Sequence, residues 1–287
     1  MIQALVETIE KCNINGRRFF KKCAKKLLYN DWIFQILAFL IVGGCVSGIN
    51  QFGTSVYAVL YFVTENQMFA KLFLAVYSLV CLFGVCVPLF YGVVNFERNA
   101  AVKDKSDLRD LFYYFSSFEL LSRAYYVFFN VALRIILCYL PALVLIYLKE
   151  FFYFEGFFGF IMRYGTIDLV GTALRTLVVI LLYVGFVFSA KYYLTLFLSI
   201  EKRDFDMSKL LMMTKMCLFG ERVKIAALAL SFLPLFVVSL FTMGFLFIIY
   251  TLPYMFLTLT VYCKYVYERE LYTKSSSSLI ENKSLEN

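Results

Sequence analysis

The chain has 287 residues, of which 62% are hydrophobic and only 17% charged, against about 25% charged in an ordinary soluble domain; a soluble fold would lack polar residues to cover its surface. It contains no histidine, which excludes a Ser-His-Asp or Cys-His nucleophile system and the HExxH zinc helix. The net charge of +8 raises nucleic acid as a partner, but the basic residues are placed along the chain as a membrane surface requires.

Residues 1–31 form a cationic, amphipathic leader. Lys21, Lys22, Lys25 and Lys26 share one side of a helix, and Phe20, Cys23, Ala24, Leu27 and Leu28 recur at helical spacing on the other. This pattern predicts a helix lying in the headgroup plane, with its lysines near anionic lipid. The charged region is too long for a cleavable signal. A first span is expected over 32–52, with Trp32 as its interfacial anchor. A weakly polar segment through Glu65, Asn66 and Gln67 follows, then a second span over 72–94. Residues 95–123 read as an aqueous loop carrying Glu97, Arg98, Asp107, Arg109 and Asp110. Within it Leu108, Leu111, Phe112 and Phe115 make an apolar stripe, and Ser116 with Glu119 forms a capping box.

The third span is expected over 126–148, and a Phe-rich stretch over 151–160 follows at the outer interface. The fourth lies either at 167–190 or at 176–199, or both ranges form one long tilted helix. A second aqueous segment, 201–224, contains an apolar helical face of Met207, Leu210, Leu211, Thr214, Cys217 and Leu218, with Asp204 and Asp206 as cap candidates. Residues 225–267 are too long for one span and predict two, joined by a tight turn near Thr242-Met243-Gly244. The expected fold is therefore all-α: a polytopic transmembrane helical bundle of six spans in three hairpins, with cytoplasmic amphipathic segments. The basic leader is 1–31, the transmembrane domain 32–267, and a polar, disordered tail 268–287.

Lysine and arginine crowd the leader, the two aqueous segments and the tail, whereas the opposite side offers Lys71, Lys149 and Arg163. By the positive-inside rule both termini lie in the cytoplasm of a cell with this protein in its plasma membrane. The excess charge then sits beside anionic inner-leaflet lipids, the expected partner, with other membrane proteins as further partners and no nucleic acid. The eight cysteines show no CxxC spacing, so neither a zinc site nor any cofactor is indicated, and they read as buried or cytosol-facing thiols.

Charges inside spans are the main pointers to a site. Asn130 and Arg134 share a face of the third helix, and Asp168, Thr172 and Arg175 share a face of the fourth. Together they could bind an anionic group or pair the two helices. The competing explanation places each arginine near a helix end, snorkelling to the headgroups. Lys191 reads as snorkelling inward. Pro88, Pro141, Pro234 and Pro253 fall within the second, third, fifth and sixth spans and predict kinks. Gly43, Gly44 and Gly48 permit close approach of the first helix to a neighbour.

Met212-Met213-Thr214-Lys215-Met216 leading to Gly220, the apolar hairpin with Thr242 and Gly244, Pro253-Tyr254 and the Tyr262 to Tyr265 aromatic end resemble an uncharacterised family of multi-pass membrane proteins of Gram-positive bacteria. The resemblance spans about residues 112–267. It implies a six-span fold with no assigned activity and carries no catalytic residue over. The expected function is that of a non-enzymatic integral membrane protein in envelope maintenance or partnering other membrane components. The alternatives are a small transporter with a site between helices three and four and, ranked last, a lipid-modifying enzyme.

Overall fold

The computed structural model describes the backbone of residues 16–103, 107–154, 167–242 and 244–285, and their side chains except at 82, 103, 148–154, 167–174 and 273–285. Among the described residues every regular element is helical, and six helices are long and apolar enough to cross a membrane: Trp32–Thr64, Gln67–Val102, Phe118–Tyr147, Arg175–Glu201, Arg222–Phe241 and Phe247–Tyr272. The leader before Gly16, Glu155 and Arg163 in the 155–166 segment, and Met243 at the last turn lie outside the described residues. So does Cys12, while the seven described cysteines are free thiols.

Helix α1 (Gly16–Asn30) buries Phe20, Ala24 and Leu28, spaced four apart on one face. That face packs on the last helix: the Phe20 and Tyr262 rings meet edge to face at 5.1 Å, and the Tyr254 hydroxyl donates to the Lys21 carbonyl at 3.2 Å. The Lys21 ammonium donates to the Ser231 carbonyl at 3.0 Å and lies over the Phe232 ring. Burial, with help from Arg17, pulls its pKa below the ordinary lysine value. The leader helix is thus docked on the protein, its apolar stripe packed on a matching face of the sixth span.

Helix α2 (Trp32–Thr64) runs well past the expected end at 52. It stops at Glu65, whose φ of 52° is left-handed, and Asn66 then caps α3 (Gln67–Cys81) by accepting from the Met68 and Phe69 amides. A π-turn, Leu82–Cys86, leads into α4 (Val87–Lys103). Here the structure corrects the sequence reading: residues 95–103 are not an aqueous loop but the end of α4, with Asn95, Glu97 and Asn99 buried. The run of apolar positions ends at Val94, yet the helix continues because other elements cover it. One is a 3₁₀ helix, Leu108–Phe115, opened by Asp107, which accepts from the Arg109 amide at 2.9 Å. It lies so close to α4 that a Cβ at Gly92 would overlap the Leu111 carbonyl.

Helix α5 (Phe118–Phe154) is capped by Ser117, which accepts from the Leu120 amide at 3.3 Å. The expected cap, Ser116, turns back to the Tyr113 carbonyl instead. Helix α6 (Ile167–Ser189) packs against α5 where Gly185 meets Tyr139 and the Cys138 carbonyl. After a one-residue break at Ala190 the chain continues as α7 (Lys191–Glu201), buried from Leu194 through Ile200. Helix α8 (Met207–Cys217) buries Met207, Leu210, Thr214 and Cys217. Gly220, at φ 76°, then turns the chain into α9 (Arg222–Leu230) and α10 (Leu233–Phe241). The last reversal, at Gly244 with φ 84°, leads through a second π-turn (Phe247–Thr251) into α11 (Leu252–Leu285). This helix is continuous through Ser275–Ser278, where the sequence suggests an irregular tail.

The prolines coincide with these interruptions. Pro88 and Pro253 each follow a π-turn, so the carbonyl left without its proline partner falls in a segment already paired differently. Pro234 opens α10 after the break at Ser231 and Phe232, and Pro141 sits inside α5.

The core is not centred in the spans. Its largest cluster joins Phe20, Tyr91, Val94, Tyr114, Leu194 to Ile200, Leu210, Cys217 and Tyr262 to Tyr267, all near the end that carries the basic segments. Ion pairs tie the same end: Arg98 to Glu201 at 2.6 Å, and Glu221 to Lys224 and Arg269 at 2.7 and 3.0 Å. By contrast, Gly43, Gly44 and Gly48 have nothing within 4 Å of where a Cβ would stand. The expected close helix approach is absent there within the described chain.

Candidate functional site

Arg134 lines a cavity of ≈ 270 Å³ together with Lys191, Tyr192, Ser208, Leu211, Met212, Thr214 and Lys215. Three elements build it. Helix α5 contributes Arg134; the break at Ala190 puts Lys191 and Tyr192 at the first turn of α7; and α8 supplies the remainder. Helix α8 is held in place by its own buried face. The Thr214 hydroxyl donates to the Leu210 carbonyl at 2.8 Å and pairs with the Thr195 hydroxyl of α7 at 3.0 Å. The Lys191 ammonium lies 4.9 Å from the Tyr192 ring centroid, and Arg134 shares the cavity wall with Tyr192. Arg134, Lys215 and Arg222 all bear electrostatically on Lys191. Among the described residues, neither Arg134, Lys191 nor Lys215 makes an ion pair.

The carboxylate nearest in sequence to Arg222 is Glu221, and it is committed elsewhere. It accepts from Tyr262 at 2.9 Å as well as from Lys224 and Arg269. Burial pushes its carboxyl upward, but these three donors outweigh burial and hold it below the usual carboxylate range. The cavity therefore faces concentrated positive charge, which suits an anion with several acceptor oxygens.

The sequence-derived site residues are dispersed. Tyr139 stands against Gly185 in the α5–α6 hairpin. Arg134 lies five residues to one side of that contact and Arg175 ten to the other, so fifteen residues of helix separate their levels by about 22 Å. Arg134 shares its level with Lys191; Arg175 belongs to the far end of the hairpin. The Asn130 amide donates to the Tyr126 carbonyl at 2.8 Å within its own helix. The side chains of Asp168 and Thr172 lie outside the described residues. Lys191, Ser208 and Lys215 were not singled out as ligands from sequence. They fall on elements separated from Arg134 by dozens of residues, and the advance signal is the excess of lysine and arginine over aspartate and glutamate around 191–224.

A second polar centre lies between α2 and α4. Glu97 and Gln35 are both fully buried, with the Gln35 amide donating to Glu97 Oε2 at 3.4 Å. Glu97 Oε1 and Gln35 Oε1 have no hydrogen-bond partner. One turn away, Phe39 and Val93 line an apolar crevice of ≈ 490 Å³ that also includes Val42, Phe90, Ile248 and Phe256. On the basic face, Arg203 bonds the Tyr113 hydroxyl, and Arg123 donates to the Lys202 and Phe205 carbonyls at 3.0 and 3.1 Å. Burial pushes the neighbouring Tyr114 hydroxyl up to about 12. Among the described residues no three His, Cys, Asp or Glu side chains come together as a metal site requires. In comparison with known proteins, the chain matches no family model, no curated protein and no solved structure.

Proposed function

We propose that this six-helix membrane protein is a non-enzymatic protein of the cell membrane whose basic end faces the cytoplasm. It acts there in envelope maintenance or as a partner of other membrane proteins. The observation that supports this most is the gathering of α1, the 3₁₀ helix, α8 and the Leu259 to Tyr267 stretch of α11 into one packed, lysine- and arginine-rich end. A tightly packed basic platform beside an anionic leaflet gains electrostatic attraction at every exposed cation. Phosphatase-type reporters that work only outside the cytoplasm test the orientation. Activity is expected for fusions in the turn at Asn66 and none for fusions after Asn287; the reverse pattern overturns the reading. Turnover of any lipid by the purified protein, proportional to its concentration, would remove the non-enzymatic part.

A second reading, a small permease, is favoured by one observation: the fully buried Glu97 on a helix interrupted by a π-turn at its approach. Intramembrane carboxylates of this kind serve proton relays in transporters. Proteoliposomes given a pH gradient and a dye inside would reveal proton entry that Glu97→Gln abolishes. Equal traces with and without protein remove this reading.

A further inference from the structure

Three features narrow what the cavity between α5, α7 and α8 holds. Its charge is one-sided: Arg134, Lys191 and Lys215 line it and no carboxylate does. Gathering cations without counter-charge is unfavourable, and an anion with several oxygens among them removes the repulsion while making charge-assisted hydrogen bonds. Ser208 and Tyr192 add hydroxyl donors at its wall. Its volume, ≈ 270 Å³, is just under the roughly 300 Å³ at which pockets for drug-sized molecules begin, so it suits a phosphoryl group with a short polar extension.

The third feature is the surface next to it. Arg134 lies within the third span, and the residues around it on α5, Leu133, Ile136 and Leu137, are 61%, 54% and 57% exposed. Met212 on the opposite wall is 60% exposed. A ligand leaving the cavity therefore continues onto apolar surface that the protein itself does not cover. A free phosphate would make no use of that surface, whereas an amphiphile uses both parts.

We infer that the cavity is the headgroup site of an anionic phospholipid. Its phosphodiester sits among Arg134, Lys191 and Lys215, and its acyl chains run along Leu133, Ile136 and Leu137. The inference rests on the proposed cytoplasmic placement of the basic end only for which leaflet supplies the lipid.

The test is native mass spectrometry of the full chain in mild detergent, with phosphatidylglycerol, phosphatidylcholine, glycerol phosphate and inorganic phosphate as probes. Phosphatidylglycerol is expected to stay bound, and the other three are not. The double variant Arg134→Gln/Lys215→Gln should retain it about tenfold more weakly, the loss expected for one or two charge-assisted contacts. Lys22→Gln/Lys25→Gln, which removes equal charge from exposed positions on α1, should retain it fully. Should the first pair fail to fold, Lys215→Glu, at an exposed position on α8, carries the same expectation. Equal retention of phosphatidylcholine, or equal loss in the α1 variant, overturns the site. Glycerol phosphate or phosphate binding as well as the lipid overturns the lipid assignment in favour of a soluble anion. Binding in detergent does not depend on orientation, so a reversed reporter pattern leaves this result standing, and lost binding leaves the topology standing.

Discussion

At Glu97 a carboxyl group has been placed where ionisation has almost no support. Its one donor is the Gln35 amide at 3.4 Å, and no cation pairs with it among the described residues. Removing a charge from water without a good partner costs several kcal/mol, so the neutral amide of Glu97→Gln should be tolerated. Its thermal midpoint is expected at or above that of the parent. Gln35→Leu, which strips the donor and leaves the acid in place, should lose about 1–3 kcal/mol. Thermal melts of the two variants in the same detergent check the pair, and a marked loss in Glu97→Gln would mean that the ionised form is needed. Glu221 behaves oppositely. Its folded pKa is depressed, so its stabilising effect is complete above the unfolded value of about 4.3 and disappears as pH falls through the lower folded value. Glu221→Gln should lower stability at pH 7 by about 2–3 kcal/mol and flatten the acid side of a midpoint-against-pH curve. An unchanged curve would show that the cluster of Lys224, Tyr262 and Arg269 does not depend on its charge.

The contact that fixes the 3₁₀ helix to α4 is backbone against backbone at Gly92. A methyl group there meets the Leu111 carbonyl, which no rotamer change relieves, so Gly92→Ala should cost at least the 1–3 kcal/mol typical of overpacking. The thermal midpoint in detergent, measured against the parent, should fall accordingly. At this scale the sequence was informative about helices and less so about their ends. The stripe of Leu108, Leu111, Phe112 and Phe115 marked a helical segment correctly, yet only Leu111 of the four is buried. The end of the second span was missed because Asn95, Glu97 and Asn99 are polar, and hydropathy cannot distinguish a polar residue in water from one enclosed by neighbouring helices. The cap shifted from Ser116 to Ser117 for a similar reason: two adjacent serines offer the same chemistry, and only the preceding turn decides between them.

Over the whole molecule, the six apolar helices and the turn at Gly244 were legible because each span must satisfy its own backbone in lipid. The site was legible only in part. Arg134 stood out as a charge inside a span, but its neighbours Lys191 and Lys215 come from α7 and α8, and Arg175 belongs to the far end of the hairpin. Such a grouping depends on which helices pack together, and a linear chain carries no local mark of that.

Helix α2 has 33 residues and is therefore roughly 50 Å long, while the hydrocarbon layer of a bilayer is about 30 Å thick. Only a few of its residues are buried: Gln35, Ala38, Phe39 and Gly53. Its angle to the bilayer normal is thus left largely to the lipid, and it must lean or project beyond the hydrocarbon. A change in acyl-chain length would then swing the Glu65 turn while the packed basic end stays still, giving the molecule a lever whose angle follows bilayer thickness. Spin labels at Asn66 and Lys22 in bilayers of increasing thickness should separate progressively, and a constant distance would mean the lever is locked.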